Sequence, residues 1–311
     1  MTIEIELQNQ QQSSNRSSRI AGIVFVLCNL TTIAFAIPFL IVEPFSWEHM
    51  NYFLLAGILS LAVGAFVHSS TTFSLRDAVL FLTITLIATT IFELMGVHWG
   101  IPFGRTYRYN EYLKPILPGG VPLFIPFAWY IIAYASLVYL RRFITDNQNA
   151  LNKRLLVLKA VLCAVPLMAV DLVLDPLATY IETWIWFKTG PYFGIPTWNF
   201  IGWFIVGFVI YFCFFAFGGA KTASYNGGFR SLDGLLVTFS LILMILANLA
   251  IIKRLNHFLP VILTPLTLGP FYIYWFIMAY KSSKTPKVTI DTHNQIYHRQ
   301  IRVHTRGPQA T

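Results

Sequence analysis

Residues 155–175 read LLVLKAVLCAVPLMAVDLVLD, an apolar run that ends in the acidic residues Asp171 and Asp175. A run of about 20 predominantly apolar residues is long enough to cross a bilayer as a helix. Because a carboxylate in hydrocarbon is energetically costly, acidic residues inside such runs mark functional sites. The stretch therefore predicts a membrane protein that carries acid chemistry within a span.

The rest of the chain repeats this apolar pattern. It is 56% hydrophobic and 11% charged, whereas soluble domains are about 25% charged. Apolar runs lie at 20–42, 51–68, 78–97, 121–140, 155–175, 199–217, 235–252 and 258–280. They predict an all-α polytopic membrane helical bundle of about eight transmembrane helices. Seven spans or a re-entrant segment remain the alternatives, because the connection at 253–257 is short and basic.

The polar and basic ends of the chain set the expected domain organisation. Residues 20–280 are expected to form a single transmembrane domain, with the functional region at 80–215. Residues 1–19 are polar and rich in Gln and Ser, a composition typical of disorder. The basic tail at 281–311 is expected to be flexible.

The positions of lysine and arginine indicate the orientation in the membrane. They accumulate on the segments that lie inside when both termini are cytoplasmic, which is the arrangement that the positive-inside rule favours. The net charge of +9 follows from this distribution, so no nucleic-acid partner is expected. The loops at 98–120 and 176–198 then share the outer side of the cell membrane, with the acidic residues beside them.

Three acidic residues are the candidate catalytic groups. Asp171 and Asp175 are four apart, so a helix places them on one face. Two carboxylates close together in a low dielectric resist ionising together, which leaves one neutral acid for proton donation. Asp175 also precedes Pro176, so a helix-capping role is the alternative. Glu93 is either a proton donor or acceptor, or an acid held by interhelical hydrogen bonds.

A weak internal repeat links the two acid-bearing regions. The segment Gly120-Val121-Pro122 precedes Trp129, and Gly194-Ile195-Pro196 precedes Trp203 at the same offset. A tandem repeat of two hairpins explains this similarity, and chance in Gly/Pro/aromatic-rich sequence is the alternative. Asn199 is expected to cap a helix or to orient a water. Tyr107 and Tyr109 are expected to belong to an interfacial aromatic belt.

Several classes of chemistry lack their motifs. The histidines are scattered and form no HxxxH or HxxHH pattern, which argues against a diiron oxygenase. No Walker A or GxGxxG motif opens a helix after a strand. The cysteines Cys28, Cys163 and Cys213 are isolated within apolar runs. The sequence therefore predicts neither a metal site nor a cofactor.

Four longer motifs resemble the integral-membrane carotenoid hydratase family, of the gamma-carotene 1'-hydratase and bisanhydrobacterioruberin hydratase type. The resemblance covers about residues 80–215. The first motif is Phe92-Glu93 followed by Gly100-Ile-Pro-Phe-Gly-Arg-Thr-Tyr-Arg-Tyr109. The second is Gly120-Val-Pro followed by Pro126-Phe-Ala-Trp129, and the third is Asp171-x-x-x-Asp175-Pro. The fourth is Tyr192-Phe-Gly-Ile-Pro-Thr-Trp-Asn-Phe-Ile-Gly-Trp203.

The resemblance implies addition of water to the terminal C1=C2 double bond of an acyclic (psi) carotenoid end group. The substrate would come from the bilayer, water would be the second reactant, and other carotenoid-biosynthesis enzymes would be partners. The chemistry needs an acid, a site that tolerates a tertiary carbocation, and a held water. Its expected catalytic residues are Glu93, Asp171 and Asp175, with the donor left open. Its expected substrate-binding residues are Trp129, Trp198, Asn199, Phe200 and Trp203. The positive net charge departs from the acidic character expected of haloarchaeal members.

Two other functions remain open from the sequence. Asp171-x-x-x-Asp175 is similar to the Asp-rich motifs with which membrane prenyltransferases bind a Mg-diphosphate, although a second such motif is absent from the sequence. A transporter is the other alternative, since intramembrane acids also line ion pathways.

Overall fold

The computed structural model describes residues 20–38, 46–146, 153–220 and 232–284. The described chain is a bundle of helices with one small sheet. The elements are α1 (Ile20–Pro38), α2 (Trp47–Thr72), α3 (Leu75–Trp99), β1 (Tyr107–Tyr109), α4 (Phe124–Tyr139), α5 (Arg141–Asp146), α6 (Lys153–Tyr180), β2 (Trp184–Trp186), α7 (Thr197–Ala216), α8 (Leu232–Leu255), α9 (Leu259–Thr267) and α10 (Gly269–Lys284).

Seven helical segments in the described part of the chain are long and apolar enough to cross a membrane. The predicted span at 121–140 is not among these seven. It forms the shorter apolar helix α4, whose 16 residues extend about 24 Å. The last predicted span, 258–280, is formed by α9 and α10 in succession. The predicted all-α polytopic membrane bundle is therefore confirmed.

The two polar ends fall mostly outside the described residues. The expected disordered segment 1–19 lies outside them, as does 285–311 of the expected tail. Residues 281–284 of that tail continue α10 as helix. The remaining boundaries of the domain organisation stay predictions.

The loops that follow α3 and α6 meet as a two-stranded antiparallel sheet. Tyr107 lies opposite Trp186, and Tyr109 lies opposite Trp184. Because alternate residues of a strand point to the same face, these four aromatic side chains share one side of the sheet. The two loops that the sequence analysis assigned to one end of the bundle thus contact each other there.

Corresponding parts of the two acid-bearing hairpins are neighbours in space. The hairpin α3–β1–α4 pairs through β1 with β2 of the hairpin α6–β2–α7. Trp129 and Trp203, which occupy matching positions in the predicted repeat, stack with ring centroids 3.8 Å apart. Such matched contacts favour a tandem repeat over chance similarity.

Phe103 fixes the first loop between α3 and α7. Its side chain is buried between Gly96 and Gly202, and a Cβ atom at either glycine would lie 2.6 Å from the Phe103 ring. No side chain fits at that separation, because packed interiors leave no such overlap. The two glycines therefore admit the loop residue that brings β1 over the bundle.

Helix α6 runs through Pro176 without ending, so the capping role for Asp175 is wrong. A proline inside a helix lacks the N–H that would bond the carbonyl four residues earlier. That carbonyl belongs to Leu172, and the hydroxyl of Tyr192 donates a hydrogen bond to it at 2.7 Å. The loop before α7 thus satisfies the backbone group that Pro176 leaves free, and the helix continues to Tyr180.

Candidate functional site

A cavity of about 360 Å³ lies beside the two-stranded sheet, between the acid-bearing hairpins and the apolar helices α1, α2 and α8. The side chains from those three helices are almost all apolar. Glu93, Asp171 and Asp175 all lie on its wall and are only 4%, 1% and 1% exposed. The structure therefore brings the three predicted catalytic acids, from α3 and α6, to the wall of one cavity.

Three hydrogen-bond donors converge on the Glu93 carboxylate. Tyr107 and Tyr109 both donate to Oε2, the latter at 2.5 Å, and the Trp129 indole donates to Oε1 at 2.7 Å. An indole N–H has no capacity to accept a hydrogen bond. A carboxylate, which only accepts, complements this set of donors better than a carboxylic acid, which must also donate.

Tyr107 and Tyr109 are site residues that the sequence analysis assigned to an interfacial belt. Both are buried, at 4% and 8% exposed, and both line the cavity. Burial, and next the negative charge of Glu93, raise the pKa of each phenol well above its ordinary value of 10.0. Both tyrosines therefore keep their protons at neutral pH and remain donors to the carboxylate.

Asn199 bridges the two aspartates on α6. Its Nδ2 donates to Oδ2 of Asp171 and to Oδ2 of Asp175, each at 2.8 Å. The sequence analysis expected Asn199 to cap a helix or to orient a water. However, α7 begins at Thr197 after Pro196, and the Asn199 side chain is buried against the acids. Its place is between the carboxyl groups rather than at the helix end.

The predicted aromatic residues divide into two groups. Trp129 and Trp203 are stacked on the cavity wall. Trp198 is 61% exposed and does not line the cavity. Phe200 is buried against Tyr192, with ring centroids 5.5 Å apart, and is also absent from the wall.

The helical repeat explains this division. Asn199 and Trp203 are four residues apart, so they share the face of α7 that meets the cavity. Trp198 precedes and Phe200 follows Asn199, each rotated by about 100° around the helix. In the structure, Trp198 and Phe200 therefore lie off the cavity wall, and their role in substrate binding stays a prediction.

Two tryptophans of β2 also belong to the site, although no motif pointed to them. Trp184 and Trp186 line the cavity, and Trp186 packs on Tyr107 with ring centroids 4.8 Å apart. The alternation Tyr107-x-Tyr109 and Trp184-x-Trp186 is the signal that could have identified them, since a period of two is typical of strands.

The acids are not accompanied by further metal ligands in the described ranges. No group of three or more His, Cys, Asp or Glu side chains that could hold a metal ion occurs among them. The absence of a cofactor from the reaction remains a prediction from the sequence.

Comparison with known proteins assigns the family. Residues 49–271 match the family described as carotenoid biosynthesis protein. A relative from Haloarcula japonica, named bisanhydrobacterioruberin hydratase, is 28% identical over 188 residues, which is 60% of this chain and 61% of the relative. The chain thus spans about three-fifths of the length of the curated relative it matches. No solved structure matches. Because the family match covers most of the described bundle, including all three acids and the strand pair, the chain belongs to the carotenoid biosynthesis protein family.

Proposed function

We propose that this chain is a carotenoid hydratase, which adds water to the terminal C1=C2 double bond of an acyclic (psi) carotenoid end group and forms a tertiary alcohol. The family match and the name of the Haloarcula japonica relative support this class of reaction. The observation that carries the proposal is the cavity itself, whose apolar walls end in Glu93, Asp171 and Asp175.

The aspartate pair supplies the proton. Asp171 and Asp175 are buried together and share the Asn199 amide. Two negative charges held so near each other in a low dielectric repel strongly, so the pair retains a proton that one member can donate. Transfer of this proton to C2 leaves a tertiary cation at C1.

Glu93 and the stacked indoles stabilise that cation. The Glu93 carboxylate is held by Tyr107, Tyr109 and Trp129, so its charge is oriented before the reaction begins. Fixed charges of this kind act strongly in a water-excluding site. The faces of Trp129 and Trp203 line the same cavity, and aromatic faces attract cations.

Water then captures the cation. Its oxygen bonds to C1, one of its protons returns to the aspartate pair, and the acid is regenerated for the next turnover. The sum is the addition of one water molecule to the double bond. Apart from water, every proton donor and acceptor in these steps is a side chain on the cavity wall.

The substrate enters from the lipid. Side chains from α1, α2 and α8, among them Phe35, Phe53 and Leu246, form the apolar wall of the cavity. A long hydrocarbon can move from lipid onto such a surface without exposing apolar area to water, which would be unfavourable. The end group therefore lies against the acids while the polyene extends along the apolar helices towards the bilayer.

Expression in a bacterium that makes lycopene or gamma-carotene tests the proposal. We expect pigments that have gained the mass of one water molecule, with the oxygen supplied by ¹⁸O-labelled water. A pigment that gains a prenyl group in a magnesium-dependent reaction would support a prenyltransferase instead. Unchanged pigments together with ion-coupled flux in liposomes would support a transporter.

A further inference from the structure

Three buried polar atoms near the acids have no hydrogen-bond partner among the described residues. They are Oδ1 of Asp175, Oγ1 of Thr179 and Nε1 of Trp186. Buried polar groups in folded proteins are almost always paired, and the partner is often an ordered water. Three unpaired atoms in one region therefore indicate a place where small polar molecules bind.

Their placement relates them to the cavity. Asp175 and Trp186 both lie on its wall, and Thr179 lies one turn after Asp175 on the same face of α6. Trp184 also lies beside the Asp175 carboxyl, but it does not reach hydrogen-bond geometry with Oδ1. Asp175 and Trp186, which carry an unpaired acceptor oxygen and an unpaired N–H, thus both line the cavity that the substrate end group would occupy.

Oδ1 of Asp175 and Nε1 of Trp186 are chemically complementary to one water molecule. An indole N–H only donates, so it would bind a lone pair of the water oxygen. A carboxylate only accepts, so it would bind one of the water hydrogens. A second lone pair of the oxygen would remain free to attack a carbon. Both groups are held in place, since Asn199 bonds the other oxygen of Asp175 and Trp186 packs on Tyr107.

We propose that Trp186 is a positioning residue, which holds the attacking water between its indole N–H and the carboxyl group of Asp175. This inference rests on the proposed hydration. Asp175 first gives its proton to C2 of the alkene, and the C1 cation forms. The held water then bonds to C1 and returns a proton to Asp175, so that all atoms and charges balance.

In this role, Trp186 affects the capture of the C1 cation by water but not the protonation of the alkene. Without the indole N–H, the acid still protonates the alkene, but water is poorly placed to trap the cation. The cation then loses a proton and regenerates an alkene. In D₂O, this return leaves deuterium in the recovered substrate, whereas capture leaves deuterium at C2 of the alcohol.

The experiment compares membranes that contain the wild-type protein, Trp186→Phe, Trp186→His or the matched control Trp99→Phe, which changes an exposed tryptophan. Each is incubated in D₂O with an acyclic carotenoid, and substrate and product are analysed by mass spectrometry. For Trp186→Phe we expect about a tenfold loss of alcohol, as for removal of one hydrogen bond to a polar partner, with deuterium still entering the recovered substrate. Trp186→His retains a ring N–H and should restore part of the alcohol. Trp99→Phe should match the wild type.

The outcomes distinguish this inference from the function on which it rests. Parallel loss of alcohol and of deuterium exchange in Trp186→Phe would show a structural role and overturn the inference. Unchanged alcohol formation would overturn it as well. A wild-type protein that forms no alcohol and exchanges no deuterium would instead overturn the proposed hydration.

Discussion

At the scale of single residues, the same functional group has two environments in one cavity. The Glu93 carboxylate accepts three hydrogen bonds. The open oxygen of Asp175 accepts none from the described residues. Donors favour the charged form of a carboxylate, and burial without donors favours the neutral form. This difference supports the proposed roles, in which Glu93 carries the stabilising charge and the aspartates carry the mobile proton.

Asp175→Asn removes that proton while keeping the shape of the side chain. We expect hydration to fall by about 10²- to 10⁴-fold, as for loss of a general acid, with the protein still present in the membrane. The measurement is alcohol formed per amount of membrane protein. Glu111→Gln, which changes an exposed loop acid, is the control and should retain activity. Full hydration by Asp175→Asn would contradict the assignment.

At the scale of elements, the site depends on a helix that contains two prolines and on loops that reach it. Pro176 directly follows Asp175, and α6 continues because Tyr192 bonds the Leu172 carbonyl. Burial, and next the neighbouring carboxyl groups of Asp175 and Asp171, raise the pKa of Tyr192 to about 12. The hydroxyl therefore stays protonated and remains a donor to that carbonyl at neutral pH.

A double-mutant cycle tests this pairing. Tyr192→Phe should lower the free energy of unfolding by about 1–3 kcal/mol, because it leaves a backbone carbonyl unsatisfied. Pro176→Ala restores an N–H at that position, so the same tyrosine substitution should cost less in its presence. The shift in thermal unfolding midpoint of the detergent-solubilised protein measures both. Equal shifts in the two backgrounds would show that the bond does not serve the proline.

Close packing of the first loop is a second feature at this scale. Gly96→Ala and Gly202→Ala each place a methyl group 2.6 Å from the Phe103 ring. Overpacking of this kind costs about 1–3 kcal/mol, so both variants should unfold at lower temperature. A Cβ atom at Gly96 would also lie 2.8 Å from the Tyr107 hydroxyl, so that variant should lose hydration too. Gly269→Ala meets nothing within 4 Å and should behave as the wild type.

At the scale of the whole molecule, a buried ion pair ties the helices together far from the acids. Arg141, after α4, donates to both oxygens of Asp233 on α8 at 2.7 and 2.6 Å. His68 of α2 lies 3.3 Å from the same carboxylate. This cluster joins the end of α2 and the start of α8, whereas Glu93 lies near the end of α3.

Asp233→Asn should destabilise the fold rather than alter the chemistry. Removing one member of a buried pair leaves the other charge uncompensated and costs about 3–5 kcal/mol. We expect a lower unfolding temperature and less protein in the membrane, with an unchanged rate per folded molecule. Lys188→Gln, which changes an exposed loop lysine, is the control. A lower rate at full stability would contradict this structural role.

The orientation of the bundle is a further prediction at this scale. With cytoplasmic termini, a cysteine in place of Glu111 faces outward and one in place of Phe217 faces inward. Both positions are exposed, so a membrane-impermeant thiol reagent should label only the first in intact cells, after the native cysteines are replaced. Labelling of Phe217→Cys alone would show the opposite orientation, with both termini on the outer side.

The sequence by itself determined the membrane bundle, the approximate spans and the three acids. Hydrophobic runs and the energetic cost of buried charge are local properties that can be read along the chain. Conversely, only the tertiary structure showed that Tyr107, Tyr109, Trp184 and Trp186 belong to the site, because their contacts depend on pairing between strands that lie 75 to 79 residues apart in the sequence.

The same distinction explains the two corrections on α6 and α7. Pro176 predicted a helix boundary from local backbone preferences, but the distant Tyr192 hydroxyl satisfies the carbonyl that the proline leaves free. Asn199 was identified as functional, yet only the packing of α7 on α6 decided that it bridges two carboxyl groups. The sequence determined which chemistry the chain carries, and the fold decided which atoms meet, since hydrogen-bond partners far apart in sequence are chosen by packing.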